Sequence, residues 1–157
     1  MIFLTLGTQL PFDRLVEAVD QAAKETNEEV FGQIGKASYR PKHFEFVNSL
    51  QPVEFSNYVK KARLIIGHAG IGTLLAGMKA EKPVLLMARR AALREHRNDH
   101  QMATVNQVQY IPGVQIVETY QDIVKYISLP ELPKMENKES EARSKLVSFL
   151  QHEIATA

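Results

Sequence analysis

Two short runs, Ile2-Phe3-Leu4-Thr5-Leu6 and Leu64-Ile65-Ile66, are apolar almost throughout, each stops at a glycine, and each is followed by residues spaced as on a helix. A strand that is apolar on successive residues is buried on both faces. That condition is met in a parallel sheet covered by helices on either side. The rest of the chain repeats the alternation. After Gly7, the recurrence of Phe12, Leu15, Val16, Val19, Ala22 and Ala23 predicts a helix, with Pro11 in its first turn. Glu29–Ile34 and His43–Val47 read as strands, and residues 52–61 as a short helix. Beyond Gly67, Ile71–Lys79 reads as a helix, Val84–Met87 as a strand, His100–Gln109 as a helix, Val114–Val117 as a strand and Tyr120–Ile127 as a helix.

The expected fold class is therefore α/β, a Rossmann-like parallel sheet with helices on both faces, over residues 1–127. Residues 128–157 read as a connector containing Pro130 and Pro133. A terminal helix follows whose face of Leu146, Val147, Leu150 and Ile154 packs back on the same sheet. At 157 residues the chain has the size of one ordinary domain, which buries roughly 68–70% of its unfolded surface.

Composition removes several functions. There is no cysteine, so disulfides and thiolate metal sites are excluded, which fits a reducing, cytoplasmic setting. Lys plus Arg number 19 against 18 Asp plus Glu, which leaves no electrostatic footprint for nucleic acid. No apolar run approaches the ~20 residues of a membrane span, and the start lacks the basic flank of a signal peptide.

The segment richest in chemistry is Gly67-His68-Ala69-Gly70-Ile71-Gly72-Thr73-Leu74-Leu75-Ala76-Gly77, between an apolar strand and a helix. Glycines let the backbone approach a ligand, and a helix start offers unpaired N–H groups, so a diphosphate is the natural guest. Thr73 can add a hydroxyl, and His68 a ring N–H. Tight strand–helix packing would explain one such glycine; several beside a histidine and a threonine favour phosphate. Two rival motifs fail by spelling. Gly67 and Gly72 have P-loop spacing, but Thr73 occupies the lysine position. Gly70 and Gly72 begin a dinucleotide fingerprint, but Leu75 stands at its last glycine.

A second cluster, Glu95-His96-Arg97-Asn98-Asp99-His100-Gln101, follows the strand Val84–Met87 at the carboxyl edge, where open parallel sheets bind ligands. Its carboxylates and amides can hold ribose and sugar hydroxyls. The plainer readings are a helix cap for Asp99 and a solvated loop for Glu95, His96 and Arg97. His96, His100 and His68 do not spell a zinc set, and no metal is expected. Gly7-Thr8-Gln9 forms a third candidate, a turn whose N–H groups can meet a phosphate.

Taken together, Leu6-Gly7-Thr8-Gln9 with Phe12-Asp13 and Leu15, His68-Ala69-Gly70-Ile71-Gly72-Thr73, Lys82-Pro83 and Asn98-Asp99-His100-Gln101 resemble the C-terminal domain of glycosyltransferase family 28, over roughly residues 1–127. The similarity is greatest to stand-alone donor-binding subunits. These are the soluble half of the eukaryotic enzyme that extends dolichol-linked N-acetylglucosamine, and bacterial subunits of capsule and exopolysaccharide assembly. The resemblance implies the C-terminal half of a GT-B fold and a UDP-sugar substrate, with no cofactor. It implies that Gly7, Thr8, His68, Gly70, Gly72 and Thr73 hold the diphosphate, and that His100 and Gln101, with Asp99 or Glu95, meet the donor sugar or ribose. Asn48, Ser49, Leu50, Gln51 and Pro52 would face the uracil.

No catalytic residue is assigned within the chain. The resemblance implies that a membrane-anchored partner subunit binds a lipid-linked acceptor and supplies the base, holding this chain at the cytoplasmic face. The basic loop Arg89–Arg97 and the turn Thr8–Phe12 are the expected rim of that contact. Two alternatives stand beside this: a nucleotide-binding regulatory module without transfer activity, and an NAD(P) domain in which Arg89 and Arg90 meet a 2′-phosphate.

Overall fold

The structure is a computed structural model. It describes residues 1–7, 10–95, 99–137, 144–145, 147–149 and 151, with the backbone alone for Ile71 and His100. Its elements are β1 (Ile2–Thr5), α1 (Asp13–Ala23), β2 (Val30–Gln33), β3 (Glu45–Val47), α2 (Pro52–Lys61), β4 (Leu64–His68), α3 (Ile71–Ala80), β5 (Val84–Met87), a single 3₁₀ turn (Ala91–Leu93), α4 (His100–Val108), β6 (Val114–Ile116) and α5 (Tyr120–Ile127).

All six strands pair in parallel in the order β3-β2-β1-β4-β5-β6. β1 and β4 are the central pair, which is why both read as unbroken apolar runs. Successive side chains serve opposite faces of the sheet. Ile2, Leu4, Leu64, Ile66, Leu85 and Met87 join α1 and α5 in one core layer. Phe3, Phe31, Ile65, Val84 and Leu86 join α2, α3 and α4 in the other. An aromatic group anchors α2 there: Tyr58 stacks on Phe31 with centroids 4.2 Å apart, and Phe55 meets Phe3 edge-on at 5.6 Å.

β2 and β3 are joined by a segment with no α-helix, pinned to α1 by two carboxylates. Asp13 accepts the Ser38 N–H at 2.8 Å, and buried Asp20 accepts the Tyr39 hydroxyl at 2.7 Å and the His43 N–H at 2.8 Å. Burial alone would raise the Asp20 carboxyl; the Tyr39 hydroxyl, the His43 and Lys42 N–H groups and the His43 ring outweigh it and hold it below its ordinary value. The same hydrogen bond to Asp20 pushes the Tyr39 phenol up to about 12.

This capture explains why the third strand starts at Glu45 and not at His43, as the sequence suggested: the His43 N–H is spent on Asp20. Pro11 likewise falls outside the first helical turn, because α1 starts at Asp13 behind the fully buried Phe12. After α5, Leu132 is buried against the α1/α5 layer and Met135 against the α2–α4 layer. Of the expected terminal face, Val147 packs on the second layer together with Phe149, and Leu146, Leu150 and Ile154 lie outside the described residues.

Candidate functional site

In this topology the chain leaves β1 toward β2 on one side, and β4 toward β5 on the other. The two exits open a crevice at the carboxyl edge, the place where such sheets take ligands. The strand register sets its floor: Val47, Gln33, Thr5, Gly67 and Leu86 lie in one row across five strands. The residues just beyond that row therefore share the rim.

His68, the last residue of β4, turns its ring between two glycines. A Cβ on Gly7 would stand 3.4 Å from Nε2, and a Cβ on Gly70 would run into the ring at Cε1. Gly70 has an extended backbone, so its lack of a side chain is required by this close approach and not by strain. Gly67 is needed for a similar reason: a Cβ there would lie 2.8 Å from Thr73 Oγ1 and 3.0 Å from the Thr5 carbonyl.

The start of α3 is open. Gly70 is its N-cap and offers no side-chain acceptor, and the first bond back into the helix is Leu74 N–H to Gly70 O at 3.4 Å. The N–H groups of Ile71, Gly72 and Thr73 precede any intrahelical partner. Gly72 is exposed, and a Cβ added to it would meet nothing within 4 Å. The positive end of the helix and these three donors therefore face the crevice. Thr73 is buried with its side chain against Gly67, so its contribution at the open end is its N–H.

Behind the histidine lies a polar chain. Gln101, buried in the first turn of α4, accepts the Arg89 N–H on Oε1 at 3.0 Å, and its Nε2 lies 3.0 Å from His68 Nδ1. Arg89 is buried as well. Its guanidinium donates to the Leu10 carbonyl at 2.9 Å and covers the Phe12 ring at 5.3 Å, while its Nε finds no acceptor among the described residues. Burial lowers its pKa, countered by the charge of Glu95, and a guanidinium so placed stays a cation.

Glu95 is not in a solvated loop. Arg14 grips it with two bonds, 3.0 Å to Oε2 and 2.9 Å to Oε1, and the Arg90 N–H adds a third at 3.0 Å. Arg94, just before Glu95, ends the 3₁₀ turn in the left-handed region at φ 59°, a conformation that costs roughly 1–2 kcal/mol for a residue with a side chain. Asp99 stands at the N-cap of α4, but its carboxylate accepts the Ala91 N–H at 2.9 Å in place of capping the helix. Both residues thus shape the loop after β5.

The Asn48–Pro52 stretch is two strands away on the same edge. Gln51 and Pro52 start α2, and Leu50 donates its N–H to Gln33 Oε1 at 2.9 Å. Gln33 also donates to Thr5 Oγ1 at 3.2 Å and to the Leu6 carbonyl at 3.3 Å, so it ties this loop to the Gly7 turn. Nothing in the sequence marked Gln33, because an amide in an apolar strand gives no local sign of the loops it joins. Thr8, His96, Arg97 and Asn98 lie outside the described residues, as does the side chain of His100. Of the expected contact rim, Phe12 and Arg89 are buried, whereas Leu93 is 54% exposed beside Arg94.

The fold has solved counterparts. The glycotransferase of kitacinnamycin superposes with a TM-score of 0.62 at 17% identity, covering 99% of this chain and 39% of that one. This chain thus spans about two-fifths of that protein. ALG13, solved by NMR, superposes with a TM-score of 0.56 at 14% identity over 91% of each chain. No curated protein sequence matches significantly. The fold is the Rossmann-like α/β architecture of glycosyltransferase GT-B halves. The sequence profile of the glycosyltransferase family 28 C-terminal domain matches residues 1–153, and the chain belongs to that family.

Proposed function

We propose that this domain binds the UDP-sugar donor of a two-part glycosyltransferase, working with a partner subunit that holds a lipid-linked acceptor in polysaccharide or glycan assembly. The observation that carries the reading is the crevice between β1 and β4, where the Gly7 turn, His68 and the uncapped start of α3 converge. Three N–H groups at a helix start suit an anion such as a diphosphate and disfavour a cation. Thr8 completes the Gly7 turn in this proposal. In this proposal Asp99 and His100, at the start of α4, meet ribose or sugar hydroxyls, with Gln101 backing them through the bonds of its buried amide to Arg89 and His68. Asn48–Pro52 would take the base, and the bond from the Leu50 N–H to Gln33 ties that loop to the Gly7 turn.

The chemistry is displacement at the anomeric carbon. The acceptor oxygen forms a bond to that carbon as the bond to the UDP oxygen breaks, and the negative charge develops on the diphosphate. The donors at the start of α3 and on His68 stabilise that charge without reorganising. The acceptor proton goes to a base on the partner. No described helix is long and apolar enough to cross a membrane. In this proposal the partner carries a membrane anchor and holds this chain at the cytoplasmic face.

Reconstitution tests the reading. Membranes bearing the partner, this protein and a UDP-sugar are combined, with each omitted in turn. Transfer is expected only from the complete mixture, because both halves are needed to align nucleophile and anomeric carbon. Full transfer by the isolated chain would place the acceptor site here and refute the division of labour.

A further inference from the structure

We infer that Gln101 is a positioning residue that fixes the tautomer of His68, with the ring proton on Nε2. The donor-site reading above gives that tautomer its use, but the assignment itself follows from the hydrogen bonds. A backbone N–H can only donate, so the Arg89 N–H, 3.0 Å from Gln101 Oε1, settles which end of the amide faces which way. The other end, Nε2, is an NH₂ group and a donor only. It lies 3.0 Å from His68 Nδ1. Two donors cannot share that distance, so Nδ1 must be the acceptor and carries no proton. In the neutral imidazole the proton then belongs to Nε2, the atom that faces Gly7 at the crevice.

Both ends of the relay are anchored. Arg89 is fixed by its bond to the Leu10 carbonyl and by the Phe12 ring beneath its guanidinium, and Gln101 is buried in the first turn of α4. The amide cannot flip without setting its NH₂ against the Arg89 N–H. A buried mismatch of two donors costs more than the bond it replaces. The ring proton therefore lies on the Gly7 side without the histidine having to be charged, and an N–H on that side favours an anionic guest over a cationic one. The end of β4 and the loop after β5 are joined through this one amide, and the Arg89 guanidinium carries the link on to Leu10 in the loop after β1. Disturbing the amide changes what His68 offers, even though Gln101 need not touch the ligand.

The test is the long-range proton–nitrogen correlation spectrum of the isotope-labelled histidine rings, recorded on the full chain near neutral pH without ligand. His68 is assigned by its loss in His68→Asn. The expected pattern is a protonated Nε2 and a bare Nδ1. A protonated Nδ1 with a bare Nε2 in the wild type would overturn the inference, and this arm needs no variant at the amide. Two variants extend it, their folds checked by the backbone amide spectrum. Gln101→Met removes the donor, and the spectrum should shift to a mixture of both tautomers. Gln101→Glu keeps an acceptor for the Arg89 N–H but sets a second acceptor against Nδ1, which should then become protonated. An unchanged Nε2 pattern in both folded variants would show that Gln101 does not set the tautomer. UDP affinity should fall several-fold in Gln101→Met. A correct tautomer pattern in a protein that binds no UDP would sink the donor-site reading and leave the role of Gln101 standing.

Discussion

Replacing Gly72 by valine should separate ligand binding from folding. The site for the new side chain is open: a Cβ on Gly72 meets nothing within 4 Å, and the residue is exposed in the first turn of α3. Valine is a better helix former than glycine by a few tenths of a kcal/mol, so the apo fold should hold within about 0.5 kcal/mol. Binding is another matter. In the proposed site, a branched side chain on the second residue of α3 crowds the approach of a phosphate to the N–H groups of Ile71, Gly72 and Thr73. Losing one hydrogen bond to a charged group costs about 1.5–3 kcal/mol, which is roughly 10- to 150-fold in affinity. UDP at 100 times its wild-type dissociation constant should stabilise the native chain by about 2.7 kcal/mol, or roughly 5–11 °C in Tm. For a variant about 100-fold weaker, the same concentration leaves about 0.4 kcal/mol, or about 1–2 °C. Paired melting curves with and without UDP read both quantities. Equal Tm shifts in the two proteins would mean that the start of α3 is not the anion site.

Other expectations follow from particular contacts. Gly70→Ala drives a methyl into the His68 ring, so it should lower stability by about 1–3 kcal/mol and weaken UDP binding together, and calorimetry that finds both unchanged would contradict the packing described. Asp20 is held below its ordinary value of 3.8, so its contribution is present above the usual carboxylate range and is lost as pH falls through its lower native value. Asp20→Asn should cost about 1–3 kcal/mol near neutral pH and make the acid decline shallower in denaturant titrations below about pH 4, with Glu28, held low by Arg63, supplying the slope that remains. Leu93→Asp should leave UDP binding by the isolated chain intact and weaken co-purification with the partner, since Leu93 is an exposed apolar side chain at the carboxyl edge; undiminished assembly would move the contact elsewhere.

The parts of this molecule that depend on neighbours along the chain were readable from its sequence. β1 and β4 are buried on both faces by virtue of being central, and that condition writes itself as consecutive apolar residues. The helix Pro52–Lys61 shows its proline at the first position and its aromatic face, and the Gly67–Gly77 turn shows its glycines. What could not be read depends on residues far apart in sequence. Glu95 sits among arginines and histidines and looks solvated, yet its partner, Arg14, is 81 positions away. Arg89 looks like one more surface cation of a basic loop; only the folded chain brings Phe12 beneath it and Leu10 against it. Gln33 joins loops 17 and 27 positions away through a single amide, and an amide in an apolar strand carries no local sign of that duty. β3 starts later than its apolar pattern suggests because a side chain on α1, Asp20, captures the N–H that a strand at His43 would use.

In the proposed function the crevice between β1 and β4 holds a uridine diphosphate. The most direct measurement is a backbone amide shift map of the labelled chain, titrated with UDP and, separately, with ATP. UDP should move the amides of Gly7, His68, Gly70, Gly72 and Thr73 first and most, with the Asn48–Gln51 amides following as the base seats, and ATP should move them far less. Equal responses to the two nucleotides, or UDP shifts centred away from the carboxyl ends of β1 and β4, would contradict the account.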